Sequence, residues 1–169
     1  MKINQDTKRQ TALGMFRLSL DFHESALAIE RTFRRKKLFG EEAQTASFTA
    51  YYMMGHAIEL VLKAVLLQRD ENCHQMLKSA IGHDLEKCLE QVRKVDASIL
   101  DFMDENHTHH VLVLNDNYCI KRFEYMMTGG ISLPDWPTLN EFIELVQKRV
   151  APEIPHGSRS MKTANELWY

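Results

Sequence analysis

The sequence predicts an all-α fold, a single helical bundle of about five helices, on three observations. From Tyr51 to Leu67 the chain is apolar almost without pause, with no proline and no glycine after Gly55. Most other stretches repeat their apolar residues at helical spacing. Breakers such as Gly40, Gly82 and Thr128-Gly129-Gly130 stand between these stretches. A chain of 169 residues is long enough to close one core without disulfides or metals.

The first helix is expected from about Asp6 to Lys37, where Leu13, Phe16, Leu20 and Leu27 share a face. Arg31-Thr32-Phe33-Arg34-Arg35-Lys36-Lys37 places cations at the negative end of its dipole, and Gly40 suits the C-terminal cap. The second begins near Glu42 and contains Phe48 to Arg69. A short segment, Cys73 to Ile81, leads to Gly82, and a third helix runs from about Asp84 to Lys94 with Leu85, Leu89 and Val92 in phase. The tract Asp104 to His110 reads as a polar connection, although its histidines give it the composition of a ligand cluster. A fourth helix is expected over Val111 to Met127, and a fifth from Pro137, a first-turn proline, to Val150. Residues 1–150 thus form the bundle, and residues 151–169 a loosely packed tail in which Leu167, Trp168 and Tyr169 are available to dock.

The formal charge of -2 provides no global field for nucleic acid. Three cysteines without CxxC spacing argue against a disulfide framework and a cysteine zinc site, and suit a reducing compartment. The polar start MKINQDTKRQT is not a signal peptide, and the apolar run is broken by three ionisable residues, so the expectation is a cytoplasmic protein without a membrane span. No phosphate-binding glycine loop and no nucleophile elbow is present, and no cofactor is implied.

The three interrupting residues are His56, Glu59 and Lys63, at i, i+3 and i+7, one narrow stripe opposite Met54, Ile58, Val61 and Val65. The plain reading of such a stripe is the line along which the helix meets water. The sharper one is that Glu59 or His56 holds a partner from another helix, with His83 and Arg122 the natural candidates. His56 and Glu59, with His83 as a third, are also of ligand type, but no full ligand set is visible and no metal is assigned.

Three places together resemble the HEPN family of small helical domains, over roughly residues 43–128. They are Ala57-Ile58-Glu59-Leu60-Val61-Leu62-Lys63-Ala64, then Gly82-His83-Asp84-Leu85 with Leu89, and Tyr118 with Arg122-Phe123-Glu124. The resemblance implies a HEPN-like bundle. Catalytic members of that family are metal-independent ribonucleases with an Arg, four to six residues, then a His on the late helix, paired across a dimer. Here Arg122 is the only arginine on the expected late helix and no histidine follows it at that distance. Matches occur elsewhere, at Arg17 to His23, Arg69 to His74 and Arg149 to His156, the last crossing Pro152 and Pro155.

The resulting expectation is a non-catalytic HEPN-like module with Glu59, Lys63, His83 and Arg122 as its binding feature. Its partner would be a second copy in a homodimer, a nucleotidyltransferase-like protein, or RNA. The alternative is a HEPN-type ribonuclease, the toxin of a toxin-antitoxin pair, with Arg69 and His74, or Arg122 and His83, as its catalytic residues.

Overall fold

The computed structural model describes residues 10–35, 47–70, 73–125, 130–157 and 161. Among the described residues every regular element is helical: α1 (Ala12–Arg35), α2 (Phe48–Arg69), α3 (His74–Met76), α4 (Leu85–Val95), α5 (Glu105–Tyr118) and α6 (Trp136–Val150). The all-α expectation holds, with six helices where about five were expected. The extra one lies in the short segment before Gly82, where the single turn of α3 widens into a π-helical turn, Leu77–Ile81. The second helix starts at Phe48 and not near Glu42, because Ser47 is extended, with ψ 152°, and caps it; the cap at Gly40, Lys36 and Lys37, and the docking of Leu167, Trp168 and Tyr169 lie outside the described residues.

Helix α2 is the axis of the bundle and packs against α1, α4, α5 and α6. Ser47 caps it, its hydroxyl accepting from the Ala50 amide at 3.1 Å. By length and composition α2 is long and apolar enough to cross a membrane, and most of it is buried inside the bundle. Burial takes in both the apolar side, Met54, Ile58 and Val61, and the polar stripe, since Glu59 and Lys63 are buried too. Glu59 and Lys63 therefore meet other protein groups, while His56 stays partly exposed.

Helices α1 and α6 close over α2 through a buried polar relay. The Ser19 hydroxyl donates to the Ala57 carbonyl at 2.8 Å and accepts from Gln147 Nε2 at 3.0 Å. His23 lies 3.2 Å from the Gln147 amide oxygen and 2.8 Å from that of Asn140. These contacts satisfy groups that would otherwise be stranded between apolar helices.

The late helix departs most from expectation. Asp104 to His110 is not a connection but the cap and first turns of α5, with the Asp104 carboxylate accepting from the His107 amide at 2.8 Å and lying 2.7 Å from its Nδ1. At the other end, α5 stops at Tyr118 and does not run on to Met127. Lys121 adopts φ 60°, its amide bonds the Tyr118 carbonyl at 3.0 Å, and the Arg122 amide bonds the Asn117 carbonyl at 2.8 Å. This is a Schellman stop with lysine in the left-handed position usually held by glycine. Helix α6 starts as expected: Asp135 caps it, accepting from the Thr138 amide at 3.0 Å, with Pro137 in the first turn. Packing continues past Val150, because Ala151 and Ile154 are buried in the turns that follow.

Candidate functional site

The site is built around one carboxylate. Glu59 sits mid-way along α2 and receives donors from three stretches of chain. Its Oε1 accepts from Lys63 Nζ, one turn on, at 2.6 Å. Its Oε2 accepts from the Tyr118 hydroxyl of α5 at 2.5 Å and from His83 Nδ1 at 3.0 Å. His56 Nδ1 lies 2.5 Å from the Tyr118 oxygen and 3.5 Å from Glu59 Oε2. A tyrosine has one proton; given to the carboxylate, it leaves the oxygen to accept from His56, so the network assigns both histidines a proton on Nδ1.

Each residue of Gly82-His83-Asp84-Leu85 has a structural task. Gly82 takes φ 59° and ψ −127°, a conformation that suits glycine, and its carbonyl accepts from Lys63 Nζ at 2.5 Å. That turn delivers His83 to Glu59. Asp84 caps α4 by accepting from the Lys87 amide at 3.2 Å and from Asn115 Nδ2 at 3.1 Å. The Asn115 oxygen accepts from the Leu85 amide at 2.8 Å, so the start of α4 is tied to α5. Leu85 is fully buried.

Burial alone would raise the Glu59 pKa. Hydrogen bonding from His56, the charge and hydrogen bond of Lys63, and the Tyr118 hydroxyl overcome it and hold the carboxyl at about 2. Tyr118 moves the other way: burial first, then the adjacent Glu59 charge, push its phenol well above the usual range. The carboxylate is thus a fixed anion and the phenol a fixed donor.

Beside this network is a cavity of about 430 Å³ whose wall includes His56, Glu59, Lys63, His74, Lys78 and His83. Among the described residues Glu59 is the single carboxylate of that wall, and it is already matched by Lys63. Comparison with protein-family models, with curated proteins and with solved structures returns no match.

Of the residues singled out in the sequence, Glu59, Lys63 and His83 come together and Arg122 does not. The Schellman stop turns the chain out of helix before Arg122, whose guanidinium donates to the Gly130 carbonyl at 2.8 Å. Arg69 and His74 do not form a pair either. Arg69 is clamped by Asp96 and by Glu153, the latter at 2.5 Å, while His74 lines the cavity, its buried Nδ1 without a hydrogen-bond partner among the described residues. Arg149 is held by Asp101 and donates to the Ser98 carbonyl at 2.6 Å.

Tyr118 as the link between His56 and Glu59 was not foreseen. The signal for it was Gly55, a glycine inside an otherwise apolar helix. A Cβ there would meet the Tyr118 ring at 2.5 Å, so the glycine is the seat on which the ring lies.

Proposed function

We propose that this chain is a non-catalytic HEPN-like module that binds RNA through backbone phosphate at the Lys63–Lys78–His83 cavity. The observation that carries the reading is the charge of that wall. Among the described residues of that wall, Lys63 matches the one carboxylate, Glu59, which leaves the Lys78 ammonium as surplus charge and three histidines as hydrogen-bonding groups. Such a wall favours an anionic, hydrogen-bonding ligand, and flexible single strands bring phosphate into a concave site more readily than a duplex does. The HEPN-like reading is supported by the meeting of Glu59, Lys63, His83 and Tyr118, which come from the three stretches that resemble the family. The non-catalytic reading is supported by the engagement of Arg69 with two carboxylates, away from the cavity that His74 lines.

The test is fluorescence anisotropy with a short labelled single-stranded RNA, followed by a gel of the same RNA. Binding should weaken with salt, by about 0.7 in log–log slope for each phosphate engaged. Lys78→Ala, at an exposed position, should weaken binding several-fold, and the RNA should stay intact. No binding, or binding unchanged in both Lys78→Ala and His83→Ala, would overturn the RNA reading; cleavage lost in Arg69→Ala and His74→Ala would restore the ribonuclease alternative.

A further inference from the structure

The same network has a second chemical capacity, independent of RNA. His56 Nδ1 and His83 Nδ1 both face Glu59 Oε2, at 3.5 and 3.0 Å, and one ligand atom from each of the three residues lies within 4.8 Å of the other two. A tetrahedral ion with bonds of about 2.0 to 2.1 Å holds its ligand atoms about 3.4 Å apart. Two of the three separations already match that edge to a few tenths of an ångström. The third, between the two imidazoles, is adjusted on binding by a turn of the His83 ring, which is half exposed. We propose that His56, Glu59 and His83 form a binding site for a divalent transition ion of the zinc class, open to the cavity at its fourth position.

The chemistry of the donors selects the ion. Two imidazoles and one carboxylate suit zinc, cobalt or nickel. Calcium and magnesium require a shell of oxygens, and the described residues of this wall supply one carboxylate, whose charge the Lys63 ammonium already offsets. Supporting contacts resemble those that orient ligands in metal sites. Lys63 holds the far carboxylate oxygen, the Gly82 carbonyl holds Lys63, and the Tyr118 hydroxyl holds the near oxygen. On binding, each imidazole presents Nδ1 to the ion and carries its ring proton on Nε2 instead, so the ion replaces two N–H donors with no net proton release from the rings. Tyr118 keeps its bond to Glu59 and loses only the one it accepts from His56.

The experiment uses the full chain without RNA, so that failure of the metal site and failure of the RNA reading are told apart. The protein is stripped with chelator, loaded with Co²⁺ or Zn²⁺, desalted, and assayed for bound metal and for the visible d–d bands of tetrahedral cobalt. Wild type should retain about one ion per chain. His83→Ala, at a half-exposed position, and His56→Ala should each lose it, while His109→Ala, on exposed α5 surface, should keep it. Magnesium and calcium should neither load nor compete. Circular dichroism confirms that each variant is folded, and His83→Cys, which supplies a thiolate in place of the imidazole, should recover binding if His83→Ala abolishes it through ligand loss. The proposal is overturned if wild type retains no stoichiometric ion, if both single histidine variants still bind, or if His109→Ala loses the ion equally.

Discussion

Replacing Gly55 by alanine is the sharpest test of how α2 and α5 are joined. In an isolated helix the change is favourable by about 1 kcal/mol, because glycine carries more backbone entropy. In this fold the new methyl would lie 2.5, 2.8 and 2.9 Å from Cδ2, Cε2 and Cγ of Tyr118, well inside contact distance. Overpacking of this kind costs about 1 to 3 kcal/mol. A displaced ring also weakens the bond from Tyr118 to the Glu59 carboxylate, and hydrogen bonds to charged groups contribute about 1.5 to 3 kcal/mol. The net expectation is a loss of about 2 kcal/mol or more, which for a chain of this size lowers Tm by roughly 4 to 8 °C. Urea denaturation of a double-mutant cycle checks the cause. With Tyr118→Ala in the background, Gly55→Ala should change sign and stabilise by about 1 kcal/mol. If Gly55→Ala is neutral or stabilising in the wild-type background, the ring does not rest on Gly55 and the argument fails.

Two further outcomes follow from the same geometry. Because the folded Glu59 pKa is depressed from 4.5 to about 2, its contribution is complete above the unfolded value and disappears as pH falls between the two. The contribution is on the order of 3 kcal/mol, so urea midpoints should drop through that window, and Glu59→Gln should start lower and flatten the dependence there. A wild-type profile no steeper than that of Glu59→Gln would show that the carboxylate is not held as described. Burial pushes the Cys88 thiol up to about 12, with Lys63 lowering it and Glu59 raising it to lesser degrees. Iodoacetamide near neutral pH should therefore spare Cys88 in the folded protein and label partly exposed Cys119 first, all three cysteines reacting in denaturant; mass spectrometry of peptides reads the order.

Much of the fold was legible because its signals are local. Apolar spacing, Asp84 at the opening of the third helix and Pro137 in a first turn act within a few residues, and the structure uses each of them as its chemistry suggests, whereas the caps Ser47 and Asp135 were not read in advance. The end of α5 was not legible, because its left-handed residue is Lys121 and no glycine marks it. The start of α5 was misread for a related reason. A tract of Asp, Glu, Asn and His looks like a loop by composition, yet one carboxylate, Asp104, suffices to cap it, and Val111 and Leu114 beyond supply the buried face.

The candidate site divides along the same line. That Glu59 and Lys63 pair on one face follows from helical periodicity alone, as does the need of a buried carboxylate for further donors. The sequence alone also marked His83 as a candidate donor. Which residues supply those donors is a property of the assembled bundle. Helix α5 ends four residues before Arg122, so Arg122 is carried away to the Gly130 carbonyl and Tyr118 occupies the place expected of it. The close approach of Tyr118 needs the missing side chain of Gly55, and the proton order along His56, Tyr118 and Glu59 exists only once the three meet. Periodicity places a side chain on a face; only the packing of two helices decides what that face touches, because the contact depends on where both helices stop.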